Sequence, residues 1–269
     1  MATLELGPQD SIYYEYTAPT SPEGCTFVFF NALTGSTDMW NAAIAPQLNE
    51  AGHGTLLFNF RGQADSSFAP GTRLNPQLIS ADAQKLLKEI TPPKPVFVGL
   101  SIGGLFAANT YLNGADAAGL VFLNTLRRDG ARLRWINDAT VLYAKVGGMD
   151  LLKDCMFPLL FDEEWLGANR KNFMTRETYE PLDRQSGHYF LLDHSRDGDW
   201  NIPYEKLDLP VLVVTGLADH VFYKEAHVSE LFGRLPNAKR LDIPNAGHMI
   251  PVERPEVLME AFLDFSKTV

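Results

Sequence analysis

Pro95-Val96-Phe97-Val98-Gly99-Leu100-Ser101-Ile102-Gly103-Gly104 joins a short run of buried-strand character to a helix-like run of small and apolar residues, Ile102–Asn113. A strand that turns at once into a helix through G-x-S-x-G puts its serine on a sharp corner. The hydroxyl then projects from the sheet edge with a helix N-terminus behind it. Such a corner imposes a strained backbone on the serine, and a Cβ at either flanking glycine collides with a neighbouring element. Alone, the pentapeptide is a common pattern. Its meaning depends on what the chain carries elsewhere.

Upstream lie two β-rich segments, Thr3–Leu6 and Ile12–Tyr16, that read as a hairpin. Four uniformly apolar runs of strand length follow: Thr26–Phe30, Thr55–Phe60, Val96–Gly99 and Gly119–Leu123. Helical patterns at Asp38–Ala51, Pro76–Ile90 and Ile102–Asn113 separate them; in the second, Leu78, Ile79, Ala83, Leu86, Leu87 and Ile90 mark one face. Uniformly apolar strands alternating with amphipathic helices specify a mostly parallel central sheet with helices on both faces, an α/β fold. From Arg127 to Leu207 the alternation stops, and the chain reads as helices and loops. It resumes with a strand at Pro210–Gly216, a helix at Phe222–Arg234, a strand at Lys239–Ile243 and a last helix at Pro255–Lys267. Residues 1–126 and 208–269 are therefore expected to form the core. Residues 127–207 are expected to form a helical lid over the sheet's C-terminal edge, where ligands of such sheets bind.

The 269 residues, 45% apolar and 21% charged, suit one soluble domain with an insertion. A formal charge of −10 speaks against nucleic acid and against anionic membrane surfaces. No apolar stretch approaches the roughly 20 residues of a membrane span. The start, Met1 to Pro8, lacks a basic region followed by an apolar one, so the expected location is cytoplasmic. Cys25 and Cys155 stand far apart and read as free thiols. His53, His188, His194, His220, His227 and His248 show no metal-ligand spacing, and neither a metal nor another cofactor is expected.

A serine hydroxyl is a poor nucleophile at neutral pH and needs a base that a carboxylate orients. The strand ending at Thr215 runs into Gly216-Leu217-Ala218-Asp219, and the next ends in Pro244-Asn245-Ala246-Gly247-His248. An acid at the first of these ends and a histidine at the second both reach toward the serine corner. Ser101, Asp219 and His248 are thus the candidate triad, in that chain order on three separate elements. Asp219 also suits a helix N-cap. His220 adjoins it, but neighbouring side chains point apart, which makes His220 a pocket-rim residue rather than a rival base.

With these residues in place, the chain resembles the α/β-hydrolase superfamily over essentially its whole length. Asn245-Ala246-Gly247-His248-Met249-Ile250-Pro251-Val252-Glu253-Arg254-Pro255 follows that family's G-x-G-H-x-x-x-x-E-x-P, and Gly216–Asp219 follows its G-x-x-D. Asn59-Phe60-Arg61-Gly62-Gln63-Ala64-Asp65-Ser66 departs from the usual D-x-R-G-x-G-x-S at Asn59 and Ala64. The resemblance implies an oxyanion hole made by the backbone N–H groups of Ile102, next after the serine, and Leu33. The usual H-G-x-x-G-S loop before that second donor reads Asn31-Ala32-Leu33-Thr34-Gly35-Ser36 here, without the His-Gly pair.

The expected lid is rich in large apolar side chains, which implies a largely apolar pocket closed from water. Asn31, Trp135, Tyr143, Phe161, His220 and Met249 are the candidate substrate contacts. Arg127, Arg128, Arg132 and Arg134 crowd the entry to the lid, where a substrate carboxylate could be held or a helix face merely solvated. The expected activity is cleavage of a small to medium, mainly apolar carboxylic ester, lactone or thioester through an acyl-enzyme on Ser101. The same triad also serves acyltransferases, carbon–carbon bond hydrolases and lyases, and a ligand receptor with slow turnover would look alike. A small molecule is the expected partner, and a homodimer is an assembly left open.

Overall fold

The computed structural model describes residues 2–269. A hairpin of β1 (Ala2–Gly7) and β2 (Asp10–Thr17) opens the chain. Then come β3 (Thr26–Phe30), α1 (Asp38–Glu50), β4 (Gly54–Phe58), α2 (Pro76–Ile90), β5 (Pro95–Leu100), α3 (Ile102–Leu112) and β6 (Gly119–Leu123). Only helical elements separate β6 from β7: α4 (Ala131–Leu160), α5 (Glu163–Asn169), α6 (Gly187–His194) and three short 3₁₀ turns. The chain closes with β7 (Val211–Gly216), α7 (Glu225–Phe232), β8 (Ala238–Ile243), α8 (Ile250–Glu253) and α9 (Pro255–Ser266).

The eight strands form one sheet in the order β1-β2-β4-β3-β5-β6-β7-β8. Only β2 runs antiparallel to its neighbour β4 and to β1; every other pairing is parallel. Every residue of β3, β4, β6 and β7 is buried, as strands covered on both faces must be. The period-two alternation divides their side chains between two cores. Val28 and Phe30 pack with Phe97 and Phe106 under α2 and α3, while Phe27 and Phe29 pack with Trp40 and Phe262 under α1 and α9. The outermost strands carry charges that discourage pairing with another sheet, Glu5 on β1 and Lys239, Arg240 and Asp242 on β8.

The strand order reverses between β4-β3 and β3-β5, so the connections after β3 and β5 leave on opposite sides. Open α/β sheets bind ligands in the crevice at such a point. Register places Phe30 beside Gly99, which brings the loop after β3 next to the serine corner.

Several boundaries differ from the sequence expectation. β4 ends at Phe58 because Asn59 and Phe60 already belong to a turn that Gln63 closes through Phe60 N–H. The helix expected from Phe222 starts at Glu225, because Asp219 caps the N–H groups of Val221 and Phe222 instead. α4 is broken inside by Gly147 and by Gly148, whose φ of 67° favours glycine. Among the described residues no helix is long and apolar enough to cross a membrane.

Candidate active site

Ser101 sits between β5 and α3 at φ 59°, ψ −120°, a region that costs a non-glycine residue about 1–3 kcal/mol. The corner is held from several sides. Ser101 N–H donates to Leu123 O at 2.8 Å, and Thr125 Oγ1 donates toward Ser101 O at 3.1 Å. A Cβ on Gly99 would run into the backbone of Gly104, and one on Gly103 into the carbonyl of Phe30. The two glycines are therefore steric requirements of the corner, as the pattern implied.

Asp219 is 1% exposed at the end of β7, and His248 is 4% exposed after β8. His248 Nδ1 lies 2.6 Å from Asp219 Oδ2. An ionised carboxylate only accepts, so Nδ1 carries the hydrogen and Nε2 keeps its lone pair. Asp219 Oδ1 meanwhile accepts from Val221 and Phe222 N–H at 3.0 and 2.9 Å, so its helix-cap role and its histidine contact coexist. Burial alone would raise the Asp219 pKa. The His248 ring, the Phe222 N–H and the nearby Arg127 charge outweigh it and hold the carboxyl below its ordinary value.

The histidine loop is suspended from two buried side chains. Glu253 Oε2 accepts from Asp162 N–H at 2.7 Å and Gly247 N–H at 2.9 Å, and its Oε1 accepts from Met249 N–H at 3.0 Å. This explains the glutamate five residues after the histidine in the motif. Asn124, at the end of β6, donates to the carbonyls of Gly247 and His248, both at 2.9 Å, and accepts from Gly216 N–H at 2.8 Å. It ties the acid strand to the histidine loop, a role the sequence did not signal.

Ser101 and His248 line one cavity of about 500 Å³ together with Leu33, Ile102 and Met249. The far wall, from α4 and α6, is mainly apolar, with Met149, Leu152, Met156, Phe157, Leu160 and Leu192, and it adds the polar side chains of Asn137, Thr140, Lys153 and His188. The backbone N–H groups of Leu33 and Ile102 donate to no acceptor among the described residues. Where the loop lacks His-Gly, a buried amide network supports it. Gln63 Nε2 donates to the carbonyls of Ala32 and Leu33 at 3.0 and 3.1 Å, and Gln63 Oε1 accepts from Asn31 Nδ2 at 3.0 Å.

Of the six candidate substrate contacts only Met249 borders the cavity. The other five are corrected by their surroundings. Asn31 is fully buried behind the loop, accepting from Trp40 Nε1 at 2.8 Å and donating to Phe58 O. Trp135 is 78% exposed on the outer face of α4. Tyr143 packs into the small cluster of Val141, Ala144 and Leu192, and Phe161 stacks on Trp165. His220 is exposed, and its carbonyl accepts from Arg132. Helical spacing located apolar side chains on α4 but could not say which face turns to the serine.

The arginine cluster is likewise taken apart. Arg128 pairs with Glu230, Arg134 with Asp129, and Arg132 holds the His220 carbonyl at 2.6 Å. Arg127 alone turns inward to line the cavity, where its Nη2 donates to Ser101 Oγ at 3.1 Å. Arg61 binds Asp82 at 2.6 Å and Asp10 at 2.8 Å.

Similar proteins have related architectures. A Mycobacterium tuberculosis (strain CDC 1551 / Oshkosh) protein with the provisional name non-heme bromoperoxidase BpoC is 25% identical over 252 residues, spanning 91% of this chain and 95% of its own. The crystal structure of MGS-M2, an alpha/beta hydrolase enzyme from a Medee basin deep-sea metagenome library, superposes with a TM-score of 0.84 at 18% identity, covering 100% of this chain and 98% of that one. The enol-lactonase of Burkholderia xenovorans LB400 superposes with a TM-score of 0.77 at 22% identity, covering 96% and 97%. The family model for the alpha/beta hydrolase fold matches residues 26–255, most of the chain and all three strand ends just described, and the protein belongs to that family.

Proposed function

We propose that the protein is a serine hydrolase that cleaves a small to medium carboxylic ester, lactone or thioester through an acyl-enzyme on Ser101. The observation that carries this reading is the 2.6 Å Asp219–His248 pair opening onto the same cavity as the strained Ser101 corner. Ser101 attacks the carbonyl carbon while His248 Nε2 takes its proton. Because Arg127 donates to Oγ, the hydroxyl hydrogen is free for the imidazole. Asp219 fixes the tautomer and stabilises the imidazolium. The Leu33 and Ile102 N–H groups receive the developing oxyanion, at roughly 3 kcal/mol of transition-state stabilisation for each donor. His248 returns the proton to the leaving group, and water that it then activates releases the acid.

Residues 127–207 act as the lid over a core of residues 1–126 and 208–269, and their apolar side chains accept the bulk of the substrate. The two unpaired thiols fit a reducing, cytoplasmic setting. The test is labelling with a fluorophosphonate, the adduct being mapped by peptide mass. Labelling at Ser101 and loss of ester turnover by about 10⁴-fold or more in Ser101→Ala are the expected results. Labelling elsewhere, or undiminished turnover in a folded Ser101→Ala protein, refutes the assignment.

A further inference from the structure

Among the described residues two arginines are buried, and they are treated differently. Arg61 is met by the carboxylates of Asp82 and Asp10. Arg127, 5% exposed, has no carboxylate in contact among the described residues. Its Nη2 donates to Asn124 O at 2.6 Å and Ser101 Oγ at 3.1 Å, and its Nε donates to Thr125 O at 3.3 Å. Its Nη1 finds no acceptor among the described residues. The guanidinium carbon lies 4.6 Å from the Trp200 ring centre and 4.1 Å from that of Phe222. Asp219, whose charge acts on Arg127 through space, already spends its oxygens on His248 and two backbone N–H groups.

Taking a guanidinium out of water costs several kcal/mol, which two carbonyls and two ring faces only partly offset. Burial draws the Arg127 pKa down to about 10, which leaves it charged at neutral pH. Bracing the turn after β6 needs hydrogen bonds but no charge. A buried cation without a counter-ion, lining a cavity beside the nucleophile, is complementary to an anion that arrives from outside. Within the planar fork only Nη1 is unspent, and its two N–H groups can donate to a carboxylate. Distance limits where that carboxylate sits. A carbonyl carbon under attack stands about 3 Å from Oγ. An oxygen bound to Arg127 is then only a few bonds away.

We propose that Arg127 is a substrate-recognition residue, and that the substrate's acyl part carries a carboxylate one to three carbons from the scissile carbonyl. This rests on the serine-hydrolase reading and narrows it to monoesters, monothioesters or lactone acids of short dicarboxylic acids. The apolar wall of Met149, Leu152, Met156 and Leu192 takes the leaving group. Acylation of Ser101 breaks the acyl C–O or C–S bond and frees the alcohol or thiol, which in a lactone stays on the acyl chain as a hydroxyl, and water then releases the dicarboxylate.

The test compares monobenzyl succinate with benzyl butyrate, matched in chain length, by release of benzyl alcohol. In the wild-type protein kcat/KM for the succinate ester is expected to exceed that for the butyrate ester by about tenfold or more. That ratio collapses in Arg127→Gln and recovers in part in Arg127→Lys, which restores the charge but not the fork. A wild-type preference for the butyrate ester, or an unchanged ratio in folded Arg127→Gln, overturns the proposal. Should Arg127→Gln fail to fold, Arg127→Lys and the wild-type ratio decide. If neither ester is cleaved, the hydrolase reading is what has failed, and binding decides the role of Arg127. Succinate but not butyramide should then quench Trp fluorescence of the Ser101→Ala protein saturably, and adding Arg127→Gln should weaken binding about tenfold. Absence of succinate binding overturns the proposal independently of turnover.

Discussion

On the sheet side of the cavity each proposed reactive group is pinned by several hydrogen bonds, whereas the helical side is lined mainly by apolar side chains. Ser101, Asp219 and the His248 loop are fixed by Thr125, Asn124, Glu253 and neighbouring backbone groups. Val141, Ala144, Leu152 and Met156 of α4 and Leu192 of α6 share one small cluster with Val221. Among the described residues, Trp135, Leu142, Val146, Leu159 and Met174 of this stretch are exposed large apolar side chains, against Val252 alone elsewhere. α4 is also interrupted at Gly147 and Gly148. The contrast teaches that chemistry and selectivity have different structural demands. Bond-making atoms must be positioned within fractions of an ångström, while an apolar wall needs only shape and can be remodelled.

The comparison breaks first at Glu253. Glu253→Ala strips the acceptor from three backbone N–H groups, of which those of Asp162 and Gly247 are buried with it. The expected loss is about 2–4 kcal/mol in urea unfolding, with a fall in kcat as the His248 loop loosens. An intact kcat in this variant would mean that Glu253 does not orient the histidine. A smaller effect is expected at Met156 on the opposite wall. Met156→Ala should cost about 2 kcal/mol of stability and change KM for bulky leaving groups about three- to tenfold. Its kcat for small esters should hold, because no reacting atom is touched; steady-state kinetics over a series of alcohols would show the reverse if the wall positioned the carbonyl.

The smallest effect is acid sensitivity. Burial, with Lys153 nearby, holds the His188 pKa below 6.5 in the folded protein, so the unfolded chain binds the extra proton first. Stability from a neutral His188 is therefore full above pH 6.5 and drains away as pH falls toward the lowered folded value. The Asp219 carboxyl is held low, so its contribution survives until pH drops below its ordinary carboxylate value. Hydrogen exchange, corrected for intrinsic rates, should show α6 losing protection between pH 7.5 and 5.5 while β7 keeps it. Equal loss in both would erase the distinction.

The sheet and its serine corner were legible because they depend on local constraints. Uniformly apolar runs such as Thr26–Phe30 leave few alternatives to a strand covered on both faces, and Gly99 and Gly103 are demanded by contacts a few residues away. The pairing of Asp219 with His248 could be anticipated because each closes a strand at the same sheet edge. Helix faces on α4 were not legible. Its apolar residues lie all around the axis, so Trp135 turned out to face solvent while Met149 and Met156 face the cavity.

The sequence by itself determined the alternation of strands and helices, the sharp corner at Ser101, and the order in which Asp219 and His248 follow it. Those features rest on periodicity, on glycine sterics and on short motifs, all of which are local. Only the tertiary structure decided that Asn31 supports the loop instead of touching substrate. It alone decided that Gln63 and Asn31 stand in for the absent His-Gly, and that one arginine of four turns inward to Ser101. Those outcomes depend on which distant groups compete for each buried donor and charge, and that competition exists only once the chain has closed around them.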